Sequence, residues 1–157
     1  MNHASALAQS PAACFRITPA GRTTFTINNG SGGKDVSGFN VSLTVPETPF
    51  TWTNMSSITS VTRSQGITID WTGVDPSSYV SITGSSSNSN VTASFTCFAP
   101  QAALSFTVPS YITLALPAGS GSLFVFNQTM PVNFTAMGIN FGTATMTAGA
   151  LISPPYL

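Results

Sequence analysis

Along most of this chain apolar and polar residues alternate one for one. Ile67-Thr68-Ile69-Asp70-Trp71 and Val91-Thr92-Ala93-Ser94-Phe95-Thr96-Cys97 place apolar side chains at odd positions and polar ones between them. Successive side chains of an extended strand point to opposite faces, so this period means one buried face and one wet face. Leu104, Phe106 and Val108 continue the pattern, as do Ile112, Leu114 and Leu116. No 3.6-residue period is sustained, so the pattern predicts strands throughout. Leu123-Phe124-Val125-Phe126 breaks the alternation. It is apolar on both faces and predicts a strand covered on both sides.

Strands are predicted over residues 14–18, 23–29, 39–45, 50–54, 58–63, 66–72, 79–84, 90–98, 103–108, 111–116, 122–127, 132–137 and 141–151. Between them lie turn formers: Pro19-Ala20-Gly21, Pro46–Pro49, Gly73–Ser77, Pro100, Pro109, Pro117–Gly121 and Pro131. Pro fixes φ, while Gly and Asn supply positive φ, and both end strands for those reasons. Asn29–Lys34 and Ser85–Asn90 are the most loop-like stretches. Many short strands at close spacing predict an all-β fold, an antiparallel β-sandwich of immunoglobulin-like or jelly-roll-like form. Residues 11–157 read as a single sandwich domain. Met1–Ser10 reads equally as a flexible tail or as the stub of a removed leader, because Ala6-Leu7-Ala8 has the small-x-small form of a cleavage site.

Composition changes the picture in one respect. Charged residues make up 5% of the chain, against about a quarter in an ordinary soluble domain. The surface must therefore be built from hydroxyls, amides and glycine, which give almost no repulsion between copies. Net charge is zero and there is no basic cluster, which excludes phosphate-backbone recognition of nucleic acid. The longest apolar stretches, such as Tyr111–Leu116, fall far short of the roughly 20 residues of a membrane-spanning helix.

Candidate chemistry is sparse. His3 is the sole histidine, and no serine sits in a G-x-S-x-G elbow, so a serine triad has no base. The acids are Asp35, Glu47, Asp70 and Asp75; a strand residue (Asp70) and an Asp-Pro turn (Asp75) make a poor hydrolase pair and a poor calcium site. No catalytic residue, metal site or cofactor is predicted. Cys14 and Cys97 match neither zinc nor CxxC spacing and predict a disulfide. Such a bridge would close a loop of about 80 residues and contribute roughly 4 kcal/mol on the chain-entropy estimate. Two buried free thiols are the alternative. Exposed aromatic rings could stack on sugar faces, with Trp52 and Tyr79 as the candidates; Trp71 reads as core. Asn29, Asn40, Asn54, Asn90, Asn127 and Asn133 each start an N-x-[ST] triplet.

A series of motifs carries a resemblance: Phe50–Ile58 (FTWTNMSSI), Arg63–Gly73 (RSQGITIDWTG), Tyr79–Gly84 (YVSITG), Ala93–Cys97 (ASFTC), Phe106–Gly119 (FTVPSYITLALPAG) and Gly138–Gly142 (GINFG). In this order, over about residues 50–142, they resemble an immunoglobulin-like β module of large secreted proteins from acidobacteria and similar soil bacteria. The resemblance brings no active site. It implies an extracellular or cell-surface location and a structural or adhesive role. Together with the low charge and the apolar tail Leu151–Leu157, it points to a non-catalytic module that meets copies of itself or neighbouring modules, with polysaccharide as an alternative partner.

Overall fold

The computed structural model describes residues 24–45, 48–73 and 77–157. The expected strand at 14–18 and the segment Met1–Ser10 lie outside the described residues. The fold is all-β and antiparallel, as the alternation predicts. Its strands are β1 (Thr24–Asn28), β2 (Asn40–Thr44), β3 (Thr51–Trp52), β4 (Ile67–Thr72), β5 (Tyr79–Ser87), β6 (Thr92–Pro100), β7 (Ser105–Val108), β8 (Ser120–Gln128), β9 (Val132–Ala136), β10 (Ile139–Ala144) and β11 (Thr147–Ile152).

Two sheets form the main sandwich. One has the order β11-β8-β5-β6, and the other β3-β4-β7. Their inner faces supply one core: Trp52, Ile67, Ile69, Trp71 and Val108 from the smaller sheet meet Val80, Ile82, Ala99, Leu123 and Val125 from the larger. All of these sit at the apolar positions of the sequence alternation. Around their lower edge runs a chain of buried polar contacts. Trp71 Nε1 donates to the Gln101 carbonyl at 2.8 Å, Gln101 Nε2 to the Gly73 carbonyl at 2.7 Å, and Asn127 Nδ2 to Gln101 Oε1 at 2.6 Å. Gln101 is 1% exposed and Asn127 5%, so each group replaces a water contact it has lost.

The C-terminal segment closes the sandwich. The Tyr156 N–H donates to the Gly119 carbonyl at 2.9 Å, and the Leu157 N–H to the Val61 carbonyl at 2.9 Å. The Tyr156 ring lies in the core, and its hydroxyl donates to the Ser122 carbonyl at 3.2 Å. Gly84 and Gly121 leave room for that ring, since a Cβ at either would collide with it. Burial pushes the Tyr156 phenol up to about 12. Arg63 Nη1 donates to the Leu116 carbonyl at 2.8 Å beside this strap.

A second, smaller cluster lies beyond one end of the larger sheet. Strands β8 and β11 run on into β9 and β10, joined by Thr129 N–H to the Met146 carbonyl at 3.0 Å. The β1–β2 hairpin packs on this extension through Val41 and Leu43, with Ala144 and the half-buried Phe134 and Met146. Phe39 stacks on Phe134 at 4.8 Å. The hydroxyls of Thr26 and Ser42 pair on its outer side at 3.2 Å.

Four sequence expectations change. Residues 111–116 were expected as a strand, but Ser110–Leu114 form a short helix, α1. Pro109 precedes it with φ −63°, ready for a helix start, and Thr113 and Leu116 are buried while Leu114 is exposed. The Thr113 hydroxyl donates to the Arg63 carbonyl at 2.6 Å, which anchors the turn. Ser85–Ser87, expected as loop, extend β5 to nine residues because β6 and β8 pair with them on both sides. Residues 58–63 make only a bridge from Val61 to Tyr156. The stretch 141–151 is divided, at 145–146, between β10 and β11.

Candidate functional site

The outer face of the larger sheet is the most distinctive surface among the described residues. Register places its residues in cross-strand rows. One row reads Leu151, Phe124, Thr83, Thr96 from β11 to β6, and the next reads Gly149, Phe126, Ser81, Phe98. A third reads Thr147, Gln128, Tyr79, Pro100. Phe98 is 67% exposed, Leu151 61%, Tyr79 51% and Phe124 37%, so a contiguous apolar patch faces water. The Phe124 and Phe126 rings stack with centroids 4.8 Å apart. None of these residues carries a charge.

Beyond the aromatic half the same face turns to hydroxyls. Ser122, Ser85 and Ser94 form one row, and Ser120, Ser87 and Thr92 another. Ser85 and Ser122 share a hydrogen bond of 2.8 Å. Ser85–Ser87, Thr92 and Ser120–Ser122 line a hollow of about 200 Å³. In the aromatic half Ser81 is 3% exposed, between Phe126 and Phe98, and its hydroxyl has no hydrogen-bond partner. Such a group has already lost its water, at a cost of about 1–3 kcal/mol. Covering the face further would not charge that cost again.

The two stacking candidates are not brought together. Trp52 is 6% exposed in the core, and its Nε1 donates to Asn54 Oδ1 at 2.9 Å, so it offers no platform to a sugar. Thr51 and Thr53 on either side of it are exposed, as the neighbours of a buried strand residue are. Tyr79 stands on the outer face beside Phe98 and Phe126. Trp71 is core, as expected, and so is Tyr156. Tyr111 is exposed on α1, apart from the patch.

Cys97 is half-buried on the inner side of β6, and burial pushes its thiol pKa up. Cys14, its expected partner, lies outside the described residues. Asp70 accepts a 2.6 Å hydrogen bond from the Ser105 hydroxyl, while Asp75 and Glu47 lie outside the described residues. Of the N-x-[ST] asparagines, Asn54 and Asn127 spend their amides inside the fold, on the Thr68 carbonyl and on Gln101, and Asn29 spends its amide on the Ser37 carbonyl. Asn40, Asn90 and Asn133 are exposed.

The alternation assigns Phe98, Phe124, Phe126 and Leu151 no role at the surface. The available signal was the doubly apolar run Leu123–Phe126, which asks for cover on a face that nothing among the described residues covers. No helix among the described residues is long and apolar enough to cross a membrane. No protein family, curated protein or solved structure matches the chain.

Proposed function

We propose that this protein is a non-catalytic structural or interaction module of a secreted or cell-surface assembly, docking through the outer face of its larger sheet onto copies or neighbouring modules. The observation that carries this reading is the uncharged patch of Phe98, Leu151, Tyr79 and Phe124, exposed on a sheet whose other face packs into the core. A patch of aromatic and aliphatic side chains without charge suits the core of a protein contact. The sequence inventory supports the absence of catalysis: one histidine at position 3 and four scattered acids. A Cys14–Cys97 disulfide belongs to the same reading, since such bridges persist in oxidising compartments.

Polysaccharide is the second reading, favoured by Tyr79 beside a field of hydroxyls on the same face. A Phe98→Asp/Leu151→Asp variant tests the face. Wild type that self-associates in light scattering, or is retained on a glycan array, with either property lost in the variant, supports docking here. Wild type that does neither, and matches the variant, removes the face as an interaction site. Mass spectrometry with and without reductant tests the bridge by its two-proton mass difference.

A further inference from the structure

We infer that the partner for this face is a second copy of the chain, stacked sheet on sheet about a two-fold axis parallel to the strands. The inference rests on the docking reading above and specifies its geometry. A two-fold axis along the strands keeps each row at its height and reverses its order across the sheet. The row Gly149, Phe126, Ser81, Phe98 then meets Phe98, Ser81, Phe126, Gly149 of the second copy. Each large side chain falls on a small one. Phe98, the most exposed ring of the patch at 67%, stands over Gly149, which presents no side chain. Phe126 falls on Ser81.

The neighbouring row obeys the same rule. Leu151, Phe124, Thr83, Thr96 meets Thr96, Thr83, Phe124, Leu151, again large on small. The third row sets Tyr79 on Gln128 and Thr147 on Pro100. Turned about an axis across the strands, the face would instead put β6 on β6 and Phe98 near Phe98, so the size pattern selects one axis. Because the face holds no charge, a copy meets no like-charge repulsion. Self-complementarity of one patch about a two-fold is what an isologous dimer needs.

Size decides how tight the contact is. Four strands about 4.8 Å apart and three rows spanning about 20 Å give roughly 400 Å² per copy. Standard interfaces take about 800 Å² per partner, so this one belongs with the weak, transient class. The serine rows at the other end are too short to meet across sheets about 10 Å apart and leave a wet gap. The contact becomes strong when copies are tethered in a chain or layer, where effective concentrations reach about the millimolar range.

The test uses the full chain in sedimentation velocity up to about 1 mM, the range for so small an interface. Leu151→Asp should weaken association about tenfold, and Leu151→Asp/Thr96→Lys should restore it, because residue 151 of each copy faces residue 96 of the other. Within one copy these positions lie at opposite edges of the sheet and cannot pair. Both variants change exposed side chains, and circular dichroism checks that they fold. Association of wild type with no rescue in the double variant overturns the two-fold axis and leaves the docking face standing. A wild type that is monomeric at about 1 mM overturns the second copy as partner; glycan retention that Phe98→Asp abolishes would then keep the face as a docking site for another ligand.

Discussion

The main sandwich and the distal cluster are built from one continuous hairpin, yet they are held very differently. Near its base the hairpin (β8 and β11) is backed by a second sheet, and thirteen residues are buried in one cluster. Near its tip (β9 and β10) only the β1–β2 hairpin backs it, and three hydrophobic residues are buried. Ile27 at 47% and Val132 at 38% remain exposed there, although both belong to strands that alternate as cleanly as those of the base. Alternation therefore tells which face wants cover, and the partner sheet decides how much cover it gets. A core of three residues cannot offset the ordering of four strands alone, so the tip borrows stability from its covalent continuity with the base.

Substitutions can break or sharpen this contrast. The largest loss is expected for Trp71→Ala, about 3–5 kcal/mol, because Trp71 is 2% exposed between the two sheets; urea denaturation measures it. Leu43→Ala in the tip should cost about 2 kcal/mol, at the low end for Leu, since the tip can relax around the gap. Hydrogen exchange should then show β1, β2, β9 and β10 opening while β4, β5 and β8 keep their protection. Opening of both regions together would mean a single cooperative unit. Asn127→Ala should cost about 1–3 kcal/mol by leaving Gln101 Oε1 buried and unpaired.

Tyr156→Phe should cost about 1 kcal/mol through the lost bond to the Ser122 carbonyl. The phenol also gives the base a pH dependence. Its folded pKa, at about 12, lies above its unfolded value near 10. The neutral form is the one the core holds, so this contribution is complete below about pH 10 and disappears as pH rises towards 12. Stability measured from pH 9 to 12 should fall more steeply in wild type than in Tyr156→Phe. Parallel curves would mean that the ring titrates in contact with water. Phe98→Ser should change stability least, by under about 0.5 kcal/mol, because the ring is exposed.

Much of the fold was legible in the sequence. Strands β1, β2, β4, β6, β8 and β9 fall close to the predicted spans because their period-two pattern matches a half-buried sheet. The helix α1 was not legible. Over six residues, Ile112, Leu114 and Leu116 satisfy a strand pattern while Ile112, Thr113 and Leu116 satisfy a helical one, and Pro109 before it and the Thr113 bond to Arg63 decide for the helix. Ser85–Ser87 looked like loop because serine has little strand preference, and two neighbouring strands overrode it. The docking face was half legible. The run Leu123–Phe126 marked β8 as apolar on both sides, but Phe98 and Leu151 join it through pairings between positions far apart in the chain.

The strap at the end of the chain also bears on timing. Val61 and Arg63 wait for partners at Pro155 and Leu157, and Arg63 Nε reaches the Leu157 carbonyl across 94 positions. A nascent chain made in order has nearly all its strands before it has the segment that locks them. Until residue 157 is available, the Tyr156 socket between Gly84 and Gly121 stands open and the two sheets lack their clasp. Closure of the sandwich is therefore a late step in synthesis, because Val61 and Arg63 are completed only by residues 155–157.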